Sequence, residues 1–122
     1  MSLEELMDES ILISVKQMLG LHAEDETFDP ELMMHINSVF TTLYQLGVGP
    51  EEGYRITSKD NKWSECIPQE EHYDLMKSYI YMKVRYLFDP PTIGSLNDAL
   101  KKQIDEAEWR LNINYENSII EN

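Results

Sequence analysis

The stretch Lys77 to Thr92, KSYIYMKVRYLFDPPT, constrains this chain more than any other. Leu75, Tyr79, Met82 and Tyr86 recur at spacings of three and four, with Met76, Ile80, Val84 and Leu87 beside them. That pattern predicts a long amphipathic helix with a wide apolar stripe. Asp89-Pro90-Pro91 then ends it, because proline has no N–H to donate and Pro90 biases Asp89 away from helical angles. A wide stripe predicts a helix that touches more than one neighbour, and a hard stop sends the next element off in a set direction. The stretch carries no catalytic signature and points to a protein that builds something.

The 122 residues suit one domain, and 42% apolar content is too high for a wholly disordered chain. A domain of this size buries roughly two-thirds of its unfolded surface, so it needs neither metal nor disulfide staples. No apolar run approaches the ~20 residues of a membrane span. Met1 to Glu9 is acidic, unlike a secretory leader. Cys66 is the single cysteine, which excludes an intrachain disulfide. The expectation is a soluble, cytoplasmic chain.

Charge narrows the partners. Lys+Arg total 10 and Asp+Glu 23, for a net charge of −13. Residues 1–52 hold 11 acids and one base, Lys16, a net of −10; residues 53–122 hold 12 acids and nine bases, a net of −3. Such a chain is unsuited to gripping nucleic acid through its phosphates, which needs Lys and Arg. Its acidity serves solubility, or a surface that faces DNA without holding it, or docking on a basic partner.

Along the chain, residues 1–9 read as a frayed acidic lead-in. Ser10 is placed to cap a helix over Ile11–Leu19, with Gly20 just past its end. Leu21 to Thr27 is a polar acidic loop. Asp29-Pro30 predicts a helix start, with the Asp29 carboxylate as cap; the helix runs to about Leu46 and buries Leu32, Ile36, Val39, Phe40, Leu43 and Leu46. Gly47 and Gly49-Pro50 end it. Tyr54–Thr57 and Trp63–Cys66 flank the polar segment Ser58–Lys62, the pattern of a small β-hairpin with a five-residue turn. Pro68 opens the long helix to Phe88. Ser95 with Asp98 resembles a capping box for a last helix that buries Leu96, Leu100, Ile104, Ala107 and Leu111. Asn112 to Asn122 lacks a helical period. The expected fold is mainly α: a bundle of about four helices with a short β-hairpin insertion, a domain over 1–112 and a tail over 113–122 that is flexible or ordered by a partner.

Chemistry-bearing patterns are sparse. His22, His35 and His72 form no HExxH or Cys/His ligand set, and His35 four residues after Glu31 reads as an ordinary helical pair. Cys66 has neither a CxxC partner nor a visible base and oxyanion site. Gly47, Gly49 and Gly53 follow a helix and are not succeeded by Gly-Lys-Ser/Thr, so they read as turn glycines. Glu24-Asp25-Glu26 and Glu70-Glu71 lack the spacing of a calcium loop. Neither catalytic residues, cofactor nor metal is expected, and the chain reads as a non-enzyme. Tyr79 and Tyr86 read as core, whereas Tyr81 and Trp109 sit off the main apolar faces and read as subunit contacts. Lys77, Lys83 and Arg85 form the densest basic cluster, placed to pair with the acidic half of an adjacent copy.

Four segments, in this order and spacing, give the chain a likeness: Lys16-Gln-Met-Leu-Gly20; Phe28-Asp-Pro through Tyr44-Gln-Leu-Gly-Val-Gly-Pro50; Lys77 to Arg85 with Phe88-Asp-Pro-Pro91; and Glu108-Trp-Arg-Leu-Asn112, with Trp63 fitting as well. Over about residues 10 to 112 the chain resembles the head–tail connector proteins of tailed bacteriophages, also called adaptor or head-completion proteins. The resemblance implies a mostly helical structural subunit, of phage or prophage origin, in a ring of commonly about twelve copies. That ring docks beneath the portal, extends the DNA channel and offers a platform for the next connector or the tail. DNA passes through without specific binding. The place is the virion neck, reached from the host cytoplasm during assembly, with no membrane partner. The resemblance also implies that the C-terminal part engages the portal. Tyr115, Ile119 and Ile120 are the apolar residues that would anchor it, and Arg110 joins Trp109 as a contact residue. The alternative is an acidic helical binding module, a DNA mimic or an inhibitor of a basic partner, which would equally lack catalytic motifs.

Overall fold

A computed structural model describes residues 1–67 and 70–121, with side chains as far as Ile113. Five α-helices follow in order among these residues: α1 (Leu3–Met7), α2 (Ile11–Met18), α3 (Asp29–Gln45), α4 (Tyr73–Phe88) and α5 (Gly94–Glu121). Two single turns of 3-10 helix, Trp63–Glu65 and Glu70–His72, lead into α4.

Local signals account for most boundaries. Ser10 caps α2 by accepting from the Ile13 N–H at 3.2 Å, and Gly20 takes φ 82° just beyond its end. Gly47, at φ 81°, ends α3 in the same way. These left-handed angles suit glycine, which has no Cβ to clash. The first nine residues are not a frayed lead-in. Ser2 caps α1, accepting from the Glu5 N–H at 3.1 Å and donating back to the Glu5 carboxylate at 3.1 Å, while Met7 reaches the core. Asp29 lies inside the first turn of α3 and is not its cap; its carboxylate is engaged elsewhere. α5 begins at Gly94, one residue before the expected Ser95 cap, with the Ile93 carbonyl accepting from Leu96 and Asn97. It also continues to Glu121, well past Asn112, where the sequence pattern had suggested that helix gives out.

The expected β-hairpin does not form: no strand exists among the described residues, and the mainly α class stands without it. Tyr54–Thr57 does keep a strand-like alternation, with Ile56 buried and its neighbours Arg55 and Thr57 exposed. Its backbone partner is a side chain. The Asn37 amide of α3 accepts from the Ile56 N–H at 2.7 Å and donates to the Ile56 carbonyl at 3.0 Å, as a neighbouring strand would. Asn61 closes the turn, its Oδ1 accepting from the Thr57 and Ser58 N–H groups at 2.7 and 3.2 Å. Trp63 coils inward instead of pairing. It is fully buried, donates from Nε1 to Ser14 Oγ at 3.1 Å, and meets Tyr73 edge-on at 6.2 Å. A single antiparallel bridge, Ser10 to Lys62, ties this segment to the start of α2.

α4 is the middle of the bundle, packed on α3 along one side and on α5 along the other. Phe28, at the start of α3, stacks edge-on against Phe88, at the end of α4, so these helices run antiparallel. Tyr79 and Lys83 of α4 both reach Glu108 of α5. Most of the wide apolar stripe is therefore used within the chain, while Leu87 is 42% exposed. Tyr73, Met76, Tyr79, Ile80 and Val84 are buried, and Leu75, Met82 and Tyr86 pack half-buried on the core. α5 contributes Leu100, Ile104, Ala107 and Leu111 to the core, while Leu96, expected there, is 55% exposed. At 1.5 Å per residue, α5's 28 residues run to about 42 Å against about 24 Å for α4's 16. No described helix is long and apolar enough to cross a membrane.

Candidate functional site

The residues expected at subunit or partner contacts fall into three situations. Lys77 and Lys83 are engaged inside the chain. Lys77 donates to the Tyr73 hydroxyl at 2.9 Å and lies 5.1 Å from that ring's centroid and 6.0 Å from that of Trp63. Lys83 pairs with Glu108 at 3.2 Å, and both side chains are about three-quarters shielded from water. The same Glu108 oxygen accepts from the Tyr79 hydroxyl at 2.7 Å. Burial, reinforced by this hydrogen bond to an anion, drives the Tyr79 phenol far above its ordinary range. Lys77 and Lys83 lie six residues apart on α4, so they point to different sides of the helix. The basic cluster of the sequence is thus dispersed: Lys77 folds back on Tyr73 of its own helix, close to Trp63, and Lys83 reaches across to α5.

A second group stays on the surface. Arg85 donates to the Tyr81 hydroxyl at 3.4 Å, and both side chains are half-buried. Arg110 pairs with Glu106 one helical turn away at 2.6 Å, with both side chains 59% exposed. Trp109 is 63% exposed on the side of α5 turned away from α4. A solvated indole of that size is unusual on a monomer surface and common at the centre of an interface. The third group, Tyr115, Ile119 and Ile120, belongs to the last turns of α5, and its side chains lie outside the described residues.

Sequence reasoning missed the most consequential polar residue. Lys16, the lone base of residues 1–52, is 1% exposed. Its ammonium donates to the Ala23 carbonyl at 2.8 Å and sits 2.9 Å from Asp29 Oδ1. That oxygen takes no hydrogen bond among the described residues, so the contact with Asp29 is an ion pair held by charge. One side chain therefore joins the end of α2, the acidic loop and the start of α3. Turned inward, it leaves the surface of residues 1–52 with acids and no Lys or Arg. Its position three residues from the end of a short amphipathic helix, ahead of an acidic loop, was the available signal.

Other candidates are structural. Cys66 is buried, donates from Sγ to the Trp63 carbonyl at 3.4 Å, and burial pushes its thiol up to about 12, far from a reactive thiolate. His35 Nε2 lies 3.6 Å from Glu31, the ordinary helical pair. The Tyr54 hydroxyl donates to Glu65 at 2.8 Å; burial together with that bond raises the phenol, while Asn61 and Tyr54 together hold the Glu65 carboxyl low.

Residues 11–118, all but the two ends of the chain, match the family model described as phage connector protein. No curated protein and no solved structure matches the chain. A helical body with an outward tryptophan and an acidic first half is compatible with such a role, and the match covers nearly the whole chain. The chain belongs to the phage connector protein family, a structural family of the phage head–tail junction.

Proposed function

We propose that this protein is a subunit of a closed ring, of about twelve copies, seated under the portal at the virion neck. The ring extends the DNA channel and carries the next connector or the tail. The family match over residues 11–118 carries this reading. The inward turn of Lys16 supports it: an acidic wall facing DNA, which bears about one charge per 1.7 Å of axis, repels it and lets it slide. Trp109, Arg110, Tyr81 and Arg85 supply contact surface, and the end of α5 with Tyr115, Ile119 and Ile120 engages the portal. Lys83 contributes by holding α4 to α5.

Native mass spectrometry of the chain with its portal tests the ring; a monomer that ignores the portal at micromolar concentration overturns it. Two variants test the contacts. Deleting residues 113–122 leaves the fold intact and weakens portal docking, whereas unchanged docking removes the tail from the interface. Trp109→Ala impairs assembly while the monomer's melting temperature moves by no more than a degree or two, the effect of a surface change of about 0.5 kcal/mol. A large fall in melting temperature would make Trp109 a packing residue.

The same acidic surface favours one other reading, a helical module that docks on a basic protein. That reading requires a stable monomer or dimer whose affinity for its partner falls steeply with salt.

A further inference from the structure

The longest stretch of this chain without Asp, Glu, Lys or Arg runs from Leu32 to Pro50 and contains most of α3. Its buried side, Leu32, Ile36, Val39, Phe40 and Leu43, explains only half of that neutrality. The outer side, Met34, Ser38, Thr41 and Tyr44, is exposed, at spacings of four, three and three that place it along one ridge. Met34 is 61% and Tyr44 54% exposed. A solvated helix face in a chain that is 27% charged would ordinarily carry charges, as the outer side of α5 does with Asp98, Lys101, Lys102, Asp105 and Glu106. The Tyr44 ring also rests against Gly53, where an added Cβ would stand 3.5 Å from it. A surface groove lined by Phe40, Thr41, Tyr44 and Tyr54, with Glu52 and Arg55 also on its wall, opens beside the C-terminal half of the ridge, whose own four residues are uncharged.

We propose that this α3 ridge is the face on which a second copy of this chain packs, an inference that rests on the ring reading. Charge decides the occupant. Each copy carries −13, so two copies approaching through acidic surfaces repel each other. Contact between them needs a face emptied of charge at its centre, with a large side chain to anchor it. The α3 ridge meets both conditions. A basic partner or DNA would gain nothing from a neutral face when acids surround it. Because ring contacts are heterologous, the counterpart on the neighbouring copy is a different surface.

The test uses the full chain with its portal, comparing wild type with Thr41→Glu, Met34→Lys and a control, Gln17→Glu on the exposed side of α2. Copies per portal are counted by native mass spectrometry across a titration, and folding is checked by thermal melting. The expected result is cooperative filling for wild type and Gln17→Glu, and partial, non-cooperative occupancy for both α3 variants at unchanged melting temperature. Full cooperative rings from folded Thr41→Glu and Met34→Lys would overturn the inference. So would complete loss of portal binding, which would assign the ridge to the portal. Failure of wild type itself to assemble would overturn the ring reading, and this inference with it.

Discussion

Lys16 shows how one residue can set both stability and surface character. A lysine that is 1% exposed survives burial because its ammonium has a carboxylate at 2.9 Å and a carbonyl at 2.8 Å. Lys16→Ala strands Asp29 and opens the loop at Ala23. Breaking a buried pair costs about 3–5 kcal/mol, and Asp29's 19% exposure puts this one near the lower end, about 3 kcal/mol in urea unfolding. Lys16→Met, which keeps the stem's packing, should lose less. The tyrosines make a second residue-scale test. Both Tyr54 and Tyr79 have folded pKa values raised above the ordinary phenol value. Their contribution to stability is therefore complete below about pH 10 and is lost as pH rises through the folded values, since only the unfolded chain releases those protons early. Alkaline absorbance titration, with Tyr54→Phe and Tyr79→Phe to assign the signals, should show these two phenols ionising only with unfolding. Ionisation of Tyr54 or Tyr79 near pH 10 in the folded protein would contradict these placements.

At the scale of elements, helix limits were largely legible because caps and stops are local. Ser10, Gly20, Gly47 and the Asp89-Pro90-Pro91 break each act within a few residues, and each has its expected effect. The hairpin failed for a non-local reason. Alternation in Tyr54–Thr57 correctly marked an extended segment, but nothing in it names the partner, and Asn37 lies 19 residues away. Asn37→Ala should leave the helices in place and free the 54–62 segment. The cost is about 1–3 kcal/mol for the lost partners of a buried backbone, visible as faster amide exchange at Ile56. Exchange unchanged at Ile56 would show that the clamp is incidental. The end of α5 was missed for a similar reason: a polar stretch without an apolar period carries no signal of its own, yet the helix continues through it to Glu121.

For the whole molecule, the width of α4's stripe answers to two neighbours within the chain, α3 on one side and α5 on the other. The surfaces the bundle leaves open include Trp109 on α5 and the α3 ridge, the two we propose for subunit contact. Charge then predicts how salt acts. Copies of a −13 chain repel, and the Debye length shrinks from about 10 Å at 0.1 M to about 3 Å at 1 M, so ring assembly should strengthen as salt rises. Sedimentation across that range separates the two functional readings, because a module docked on a basic partner weakens instead.

The sequence by itself determined the helical class, the sites where helices start and stop, the acidic balance and, through the order of its motifs, the connector family, all of which depend on residues close together or on composition. Only the tertiary structure decided that Lys16 turns inward, that Asn37 serves as the missing strand, that Lys77 and Lys83 are engaged inside the chain, and that α3 presents an uncharged ridge. Those outcomes depend on which distant groups meet once the core closes, and a buried charge or backbone amide takes whatever partner packing brings within about 3 Å.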